Sequence, residues 1–387
     1  MWFKFKSALG GSDANLRRDL TDTLGSQTES RETINSAAAV TGAGQDRFVG
    51  ALVVVVLVSA ALYFGRIVFE PVAFMLFTMA LVEPFQQAAQ AKFGKPVALI
   101  LTILLTLLVL SILIGAIVWS ISDIIHWGLA NVERFQSLYT RVTQWLLEKE
   151  FFVGEIEGLG SFSFSGVFQT VAVYVNYLIG FALVVFLFLA FGLAEMDDFK
   201  LKLIAVDKKM IGWSLLETSS RIAGKIRKYM LIRTLASVGT GVAVFLFTLS
   251  IGLELAVAWG VISFVLNYIP YVGPLVAVIL PVIFAAVQFE SWQMAAVIFG
   301  SLYLIQFVIG NYLEPMLTGN ALAISPFVML FAFLIWDFLW GMPGAFIGLP
   351  VTIALFTVWE QNPSTRWIAK LMSTSDTASG TGLAKTS

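Results

Sequence analysis

Two long apolar segments in the last third of the chain are each broken near the middle by prolines, glycines and a polar side chain. The first covers residues 255–289 with its break at 267–274, and the second covers residues 325–359 with its break at 337–344. A membrane-spanning helix needs about 20 residues, whereas each half of these segments has about 15 to 17. A re-entrant hairpin, which dips into the bilayer and returns to the same side, fits these lengths better than one or two full spans.

Broken apolar segments of this kind are typical of transport proteins. Irregular backbone at membrane depth persists only where protein or a water-filled cavity satisfies its hydrogen bonds. Paired segments interrupted by proline or glycine mark the substrate site of many secondary transporters. The two segments therefore predict a transport core, which we place at residues 231–360.

Six other apolar stretches are candidate transmembrane helices. Two short ones flank Arg66, the second of them containing Pro71, and four longer ones follow. Their ranges are 48–64, 67–82 and 97–120, which make up an N-terminal group at residues 48–120, and then 167–194, 231–251 and 292–312. The predicted fold is an all-α integral membrane protein with about six full transmembrane helices and two re-entrant hairpins, about eight segments in all.

The remaining segments are predicted to lie outside the hydrocarbon. Residues 1–47 are polar and have no sustained period, which indicates a disordered cytoplasmic tail. Residues 121–166 predict an extracytoplasmic amphipathic arm, because apolar residues recur there at helical spacing before a Gly/Ser-rich loop. Residues 195–230 predict a basic cytoplasmic helical segment, and residues 361–387 a cytoplasmic tail.

The distribution of lysine and arginine orients the chain. Residues 195–232 hold eight of them, and the connection at Lys92 and Lys95 holds two and no acid, whereas the arm holds three against six acids. With both termini in the cytoplasm, every basic segment lies inside and the acidic arm outside. The first hairpin then enters from outside and the second from the cytoplasm, which is the layout of an inverted repeat. Two fully spanning segments would return the C-terminus to the same side, so the charge count leaves both topologies open.

Composition supports the membrane assignment and excludes several kinds of site. Hydrophobic residues make up 58 % of the chain and charged residues 13 %, and the net charge is −1. The chain has no cysteine, and therefore no disulfide and no thiolate metal site. No phosphate-binding loop, dinucleotide fingerprint or catalytic motif occurs. We expect no enzyme activity, cofactor, bound metal or nucleic-acid partner, so transport must use an ion gradient, the solute's own gradient or a partner protein.

Polar and flexible residues at predicted membrane depth form the candidate substrate or ion pathway. Ionisable groups inside a span cost a few kcal/mol and usually have a functional reason. The candidates are Asn267, Pro270, Gly273, Pro274, Gln306, Asn311, Glu314, Asp337, Gly341, Pro343 and Gly344. We expect the polar side chains to converge on a hydrated cavity, since Gln306, Asn311 and Glu314 share one arc of an ideal helix. The alternative is that these side chains cap half-helices or mark a helix end.

Three motifs in this order resemble the autoinducer-2 exporter family of bacterial membrane proteins. They are Asn267-Tyr-Ile-Pro-Tyr-Val-Gly-Pro274, Asn311-Tyr-Leu-Glu-Pro315 with Met316-Leu-Thr-Gly319, and Trp340-Gly-Met-Pro-Gly-Ala-Phe-Ile-Gly-Leu-Pro350. The resemblance extends over residues 48–360 and implies a multi-pass protein of the bacterial inner membrane that forms homo-oligomers, including pentamers. It further implies export of the quorum-sensing furanone autoinducer-2, or exchange of sodium or lithium for protons. The chain departs from the family pattern in its bulky aromatic residues before the final glycine motif, at Trp336 and Trp340.

Three functions stay open on the sequence alone. The first is a secondary exporter that moves a small polar signalling molecule or metabolite by alternating access. The second is a sodium or lithium/proton antiporter, for which Glu314 and Asp337 are the candidate carboxylates. The third is a non-transporting membrane scaffold that uses the arm and the basic segment as partner surfaces. The scaffold leaves the broken segments unexplained, so the sequence favours transport.

Overall fold

The computed structural model describes residues 49–148, 164–210, 215–318 and 325–373, and the regular elements in these ranges are helices. Their bounds are α1 (Val49–Phe64), α2 (Arg66–Phe93), α3 (Lys95–Ala130), α4 (Val132–Glu148), α5 (Phe164–Met210), α6 (Leu215–Ser250), α7 (Ala256–Leu266), α8 (Val272–Phe289), α9 (Trp292–Val308), α10 (Glu314–Thr318), α11 (Pro326–Gln361) and α12 (Arg366–Met372). A π-helical turn at Ile309–Leu313 joins α9 to α10. The predicted N-terminal tail, most of the Gly/Ser-rich end of the arm and the last part of the C-terminal tail lie outside the described residues.

Seven helical segments in the described ranges are long and apolar enough to cross a bilayer. They are α2, α3, Gln169–Lys202 of α5, α6, α8, Trp292–Leu317 and α11. Helix α1 is a shorter apolar helix that falls in a separate compact unit from the rest of the chain. The predicted all-α membrane fold is confirmed.

Apolar side chains stay exposed along several of these helices. On α3, a stripe of large side chains at every fourth position is more than half exposed: Ile100, Leu104, Leu108 and Ile112. Residues four apart lie on the same face of a helix. A continuous exposed apolar stripe of this length suits contact with lipid chains.

Several helices run beyond the apolar stretches that predicted them. Helix α3 continues past Ser120 to Ala130, and α5 and α6 extend from their apolar spans into the basic segment. At 1.5 Å per residue, the 36-residue helices α3 and α6 are each about 54 Å long, nearly twice the thickness of a hydrocarbon core. The change from apolar to polar sequence therefore does not mark the helix end, because nothing at these boundaries breaks a helix.

Ion pairs bring the basic ends of several helices together on what we call the basic side. Glu83 of α2 pairs with Lys200 of α5 at 2.7 Å and with Arg227 of α6 at 3.3 Å. Two further pairs, which join α3 to α5 and α6 to α11, are Lys95–Asp197 at 2.9 Å and Lys225–Glu360 at 2.7 Å. These are the segments that the count of lysine and arginine placed on one side of the membrane.

The arm packs at the opposite ends of the helices, on what we call the arm side. The indole Nε1 of Trp127, near the end of α3, donates a hydrogen bond to Glu254 before α7. Arg141 of α4 lies 3.7 Å from Glu290 at the end of α8. Glu254 and Glu290 thus connect the arm to the first broken segment.

Helices α6 and α7 pack closely through glycine. A Cβ on Gly241 would lie 2.8 Å from the carbonyl oxygen of Gly260, and a Cβ on Gly260 would lie 2.8 Å from the Cβ of Phe245. Small residues at facing positions let helix backbones approach each other within a membrane. This contact holds α7 along α6 and brings the first break beside the middle of α6.

Candidate functional site

The first broken segment is a helical hairpin, which we call hairpin 1, made of α7 and α8. Gln288 near the end of α8 accepts a hydrogen bond from the backbone N–H of Glu254 and donates one to the carbonyl of Gly252, both at 2.9 Å. Along the hairpin, the rings of Trp259 and Phe284 meet edge to face at 4.9 Å. The two ends of the segment therefore lie side by side on the arm side, with the break at the far end.

The turn of hairpin 1 depends on residues that tolerate unusual backbone. Tyr271 takes a positive φ of 63°, and α8 begins at the next residue. A Cβ on Gly273 would lie 1.8 Å from the carbonyl oxygen of Leu266, so only glycine fits at this position. Pro270 is buried within the turn, and Pro274 occupies the first turn of α8, where its missing N–H removes no helical hydrogen bond.

The second broken segment, α11, is also a hairpin, which we call hairpin 2. The backbone reverses at Gly341, where φ is 65° and ψ is −146°. The indole Nε1 of Trp336 donates to the hydroxyl of Thr352 at 3.0 Å. Sixteen residues of straight helix would separate these side chains by about 24 Å, so the two halves of α11 must fold back on each other. A Cβ on Gly344 would lie 2.0 Å from the carbonyl oxygen of Trp336, which explains the glycine.

The two hairpins open toward opposite sides of the molecule. Hairpin 1 ends beside the arm, whereas hairpin 2 ends at Glu360 and Gln361 on the basic side. There, Glu360 pairs with Lys225, and Gln361 accepts a hydrogen bond from Thr218, both on α6. The predicted opposite sense of the two segments therefore matches the structure, while their depth in a bilayer stays a prediction.

The tip of hairpin 1 is held by hydroxyl groups in the middle of α6. The amide of Asn267, only 4 % exposed, donates to the hydroxyl of Ser237 at 3.1 Å. The hydroxyl of Tyr268 donates to that of Thr234 at 2.9 Å. Both partners lie within residues 233–237, one turn of α6, which we call the α6 turn. Asn267 also ends α7, so its backbone caps the half-helix while its side chain binds α6.

A buried ion pair occupies the same turn of α6. The guanidinium of Arg233 bonds to the carboxylate of Glu314, the first residue of α10, and their side chains are 8 % and 28 % exposed. Arg233 also has a hydrogen-bond contact with Tyr229, one turn earlier on α6. Arg233 was not predicted as a site residue, although an arginine inside the predicted span 231–251 is the kind of residue that indicates a functional site.

Hairpin 2 also reaches the tip of hairpin 1. The ring of Phe346, five residues beyond Gly341, lies 5.5 Å from that of Tyr268. The hydroxyl of Tyr271 lies 3.4 Å from the carbonyl oxygen of Pro326 at the start of hairpin 2. The tip of hairpin 1 thus lies against the α6 turn, near Arg233 and Glu314, and also contacts the start and the second limb of hairpin 2.

The structure separates two of the predicted residues from this region. The π-helical turn places an i→i+5 hydrogen bond between the N–H of Glu314 and the carbonyl of Ile309. This wider turn changes the directions in which Gln306, Asn311 and Glu314 point, compared with an ideal helix. Asn311 is exposed, and its amide donates to the carbonyl of Phe307 in its own turn at 3.0 Å. Gln306 is half-buried, and Asp337 is exposed on the first limb of hairpin 2, four residues before the reversal. The structure therefore brings Asn267 and Glu314 to the same turn of α6, while the substrate or ion pathway stays a prediction.

A cavity lies on the basic side, one helical turn of α6 before this region. Its volume is about 370 Å³, and it lies between α6 and the end of hairpin 2. Its lining is Arg221, Gly224, Lys225, Lys228, Tyr229, Thr357, Glu360 and Gln361. Because Tyr229 contacts Arg233, the inner end of the cavity stands one helical turn from the buried ion pair.

The arrangement offers hydrogen-bond partners of several kinds within one apolar environment. Hydroxyls come from Thr234, Ser237 and Tyr268, an amide from Asn267, and a fixed cation from Arg233. Such a set can bind a polar solute by replacing internal hydrogen bonds with bonds to the solute.

Comparison with known sequences agrees with this architecture. The profile of a family described as AI-2E family transporter matches residues 52–363. A putative transport protein of Borreliella burgdorferi is 38 % identical over 183 residues, which cover 46 % of this chain and 50 % of that protein. A putative transport protein of Haemophilus influenzae is 32 % identical over 152 residues, 39 % of this chain and 43 % of the relative.

One similar protein has a more specific name. AI-2 transport protein TqsA of Escherichia coli is 31 % identical over 153 residues, which cover 40 % of this chain and 44 % of that protein. The chain thus spans half or less of the length of the relatives it matches.

Proposed function

This chain belongs to the AI-2E family of transporters, and on that premise we propose that it exports a small polar solute between its two hairpins by alternating access. The supporting observation is that the tip of hairpin 1 lies at the α6 turn, beside the buried pair Arg233–Glu314, and contacts hairpin 2, which opens to the opposite side. Opposed broken segments that meet at one polar region let access switch from one side to the other around a fixed site.

The cavity on the basic side is the proposed entrance. A solute entering it meets Lys225 and Lys228 at the mouth and Tyr229 at the inner end. Beyond Tyr229 the next polar group is Arg233, whose charge favours hydroxyl or carbonyl oxygens of the solute. Entry from the cytoplasm through this cavity and release on the arm side would constitute export.

Movement of hairpin 1 would complete the passage. Its tip is held to α6 by two side-chain hydrogen bonds, from Asn267 and from Tyr268. Each such bond contributes only about 0.5–1.5 kcal/mol net, so solute hydroxyls can replace them at little cost. Its base is anchored to the arm through Glu254 and Glu290, which leaves the tip as the moving end.

The solute, the membrane location and the oligomeric state that we propose are based on the family and on the sequence. The name of the Escherichia coli relative suggests autoinducer-2 as the first solute to test. We propose a site in the bacterial inner membrane, both termini in the cytoplasm, an ion gradient as energy source, and a homo-oligomer of up to five copies. Of the predicted site residues, Asn267 and Glu314 are the strongest candidates, and Asp337 stays a prediction.

Efflux from proteoliposomes tests the proposal. Purified protein is reconstituted with autoinducer-2 inside the vesicles, and its release is compared for the wild type, Asn267→Ala and Asn131→Ala. Asn131 is a matched control, because its amide bonds to a backbone carbonyl in the arm at 2.9 Å. We expect efflux from the wild type and the control and a clear reduction in Asn267→Ala. Equal efflux from all three proteins would refute the site. Release no faster than from loaded vesicles without protein would refute autoinducer-2 as the solute.

The antiporter hypothesis has less support from these residues. It needs a carboxylate that exchanges a proton for a cation. Glu314 is engaged with Arg233, and Asp337 is exposed. Sodium pulses that change the internal pH of wild-type vesicles without added solute would nevertheless favour antiport over export.

A further inference from the structure

A carboxyl group that the proposed solute path does not use is buried in α2. Glu70 is 3 % exposed, and it lies inside a helix long and apolar enough to span the membrane. Its Oε1 atom is enclosed and has no hydrogen-bond partner among the described residues. An ionised carboxylate in such a place has lost its water without gaining a full set of partners, whereas a carboxylic acid has no charge to desolvate.

Among the described residues, the ionisable groups found to act on Glu70 are Arg66 and Tyr177. Arg66, one turn earlier on α2 and exposed, is the charged group that acts on it. Tyr177, on the neighbouring helix α5, also interacts with both Glu70 and Arg66. Helix α11 faces this part of α2 with Phe346, which cannot titrate. Loss of a proton would therefore leave a carboxylate whose nearest compensating charge is the exposed guanidinium of Arg66.

A continuous row of aromatic rings connects this carboxyl to the transport region. Tyr177 stacks on Phe181 at 6.3 Å, and Phe181 meets Phe74 edge to face at 5.1 Å. Phe74, one turn after Glu70 on the same helix, stacks on Phe346 of hairpin 2 at 6.1 Å. Phe346 in turn lies 5.5 Å from Tyr268 at the tip of hairpin 1.

Through these contacts, a movement of the Glu70 side chain can displace residues of both hairpins. A carboxylate drawn toward Arg66 and a carboxylic acid packed in the interior require different positions of the surrounding side chains. A shift of one ring in contact with another displaces that neighbour where the rings are packed, as between Phe74, Phe181 and Phe346. The first moving neighbours are Phe74 and Tyr177, and the next are Phe181 and Phe346.

We propose that Glu70 is the proton-binding site that couples transport to the proton gradient, an inference that rests on the proposed transport function. A proton from water at the Arg66 end binds the carboxylate and forms the buried carboxylic acid. Release breaks the same O–H bond, returns the proton to water, and leaves the charge next to Arg66. Alternation between these two forms moves the aromatic row and thereby changes which of the two hairpins moves more readily.

Infrared difference spectroscopy gives a readout independent of transport. Spectra of the purified protein in lipid at acid and alkaline pH are compared for the wild type, Glu70→Gln and Glu195→Gln. Glu195 is an exposed acid on α5 and serves as the control. The exposed acids contribute carboxylic acid C=O bands in all three spectra, and we expect one further C=O band, from a carboxylic acid without a hydrogen-bond partner, that is lost in Glu70→Gln and kept in Glu195→Gln. Persistence of that further band in Glu70→Gln would overturn the proton site even if no solute moves.

Transport with and without a pH gradient tests the coupling. Autoinducer-2 is the probe, and two modes are measured in the same vesicles: uphill movement driven by a pH gradient, and exchange at equal concentrations on both sides. Glu70→Gln should lose the gradient-driven mode and keep exchange, and Glu70→Asp should recover part of the gradient-driven mode. Loss of both modes together, or a wild type whose exchange proceeds but ignores the gradient, would overturn the coupling. If the wild type moves no autoinducer-2 in either mode, the proposed solute fails, and the infrared result decides on Glu70 by itself.

Discussion

Hairpins 1 and 2 both reverse the chain within an apolar segment, but different contacts hold them in place. Hairpin 1 reverses over several residues between α7 and α8, and its tip is held to α6 by polar side chains. Hairpin 2 reverses at Gly341, and its limbs are held to each other by the packing of Trp336 against Gly344 and Gly348. The comparison indicates that the limbs of hairpin 2 are locked to each other, whereas the tip of hairpin 1, beyond the close packing of α7 on α6, is held by hydrogen bonds that a solute can replace. Hairpin 1 is accordingly the better candidate for the moving part.

The close glycines should be the most sensitive positions in both hairpins. Gly273→Ala and Gly344→Ala would each place a Cβ about 2 Å from a backbone carbonyl oxygen, so the backbone itself must move. We expect each to cost at least the roughly 1–3 kcal/mol of ordinary overpacking, and to reduce the yield of folded protein sharply. Gly300→Ala on α9 has open space and is the matched control. The measurement is thermal unfolding in detergent, and a control-like melting temperature for either variant would contradict the close fit.

Removal of one partner of the ion pair should have the next largest effect. Glu314→Gln leaves Arg233 buried without its counter-charge. We expect a loss of roughly 2–3 kcal/mol, between the values typical of exposed and fully buried pairs. The double variant Arg233→Met with Glu314→Met should recover most of the stability, because no charge is left unpaired, but should not recover transport. Recovery of transport in the double variant would show that the pair is structural.

The polar residues near the two tips should differ in importance. Asn267→Ala leaves the hydroxyl of Ser237 buried without a partner and should cost about 1–3 kcal/mol as well as efflux. Asp337→Asn, at an exposed position, should change stability by less than about 0.5 kcal/mol. Unfolding midpoints and efflux measured side by side test the difference. A larger loss of efflux in Asp337→Asn than in Asn267→Ala would place the solute path on the other hairpin.

A similarly small effect on stability is expected at the base of hairpin 2. Lys225 and Glu360 are 33 % and 52 % exposed, and a pair of this kind contributes about 0–1 kcal/mol. Lys225→Gln should therefore leave the unfolding temperature almost unchanged, and added salt should narrow the remaining difference from the wild type. A fall of many degrees would show that the base of hairpin 2 is held mainly by this pair.

The breaks and the two sides of the molecule could be predicted from sequence because their signals are local. Proline and glycine near 270 and 341 interrupt apolar runs, and lysine and arginine cluster at the ends that the structure brings together. Helix ends were less predictable, because α3 crosses from apolar to amphipathic sequence at Ser120 without a breaker.

The partners within the site could not be predicted from local signals. Arg233 and Glu314 are 81 positions apart, and only the packing of α10 against α6 pairs them. The π-helical turn inserts a wider turn before Glu314 and separates Asn311 from the residues expected to share its face. Glu70 had a visible signal, an acid within the apolar stretch 67–82, but its burial depends on neighbouring helices.

Each broken segment is proposed to be re-entrant: hairpin 1 enters and leaves the membrane from outside, and hairpin 2 enters and leaves it from the cytoplasm. The chain has no native cysteine, so single cysteines report topology directly. The test positions are Gln293 after hairpin 1 and Met316 before hairpin 2, both exposed. Ser250 and Ser364, also exposed, are the controls, because they lie outside and inside the cell in either topology.

Labelling intact cells with a membrane-impermeant thiol reagent, before and after permeabilisation, decides between the topologies. With re-entrant hairpins, cysteine at 293 is labelled from outside like the control at 250, and cysteine at 316 only after permeabilisation, like the control at 364. Two fully spanning segments would reverse the labelling at 293 and 316 and leave both controls unchanged, which would contradict the account.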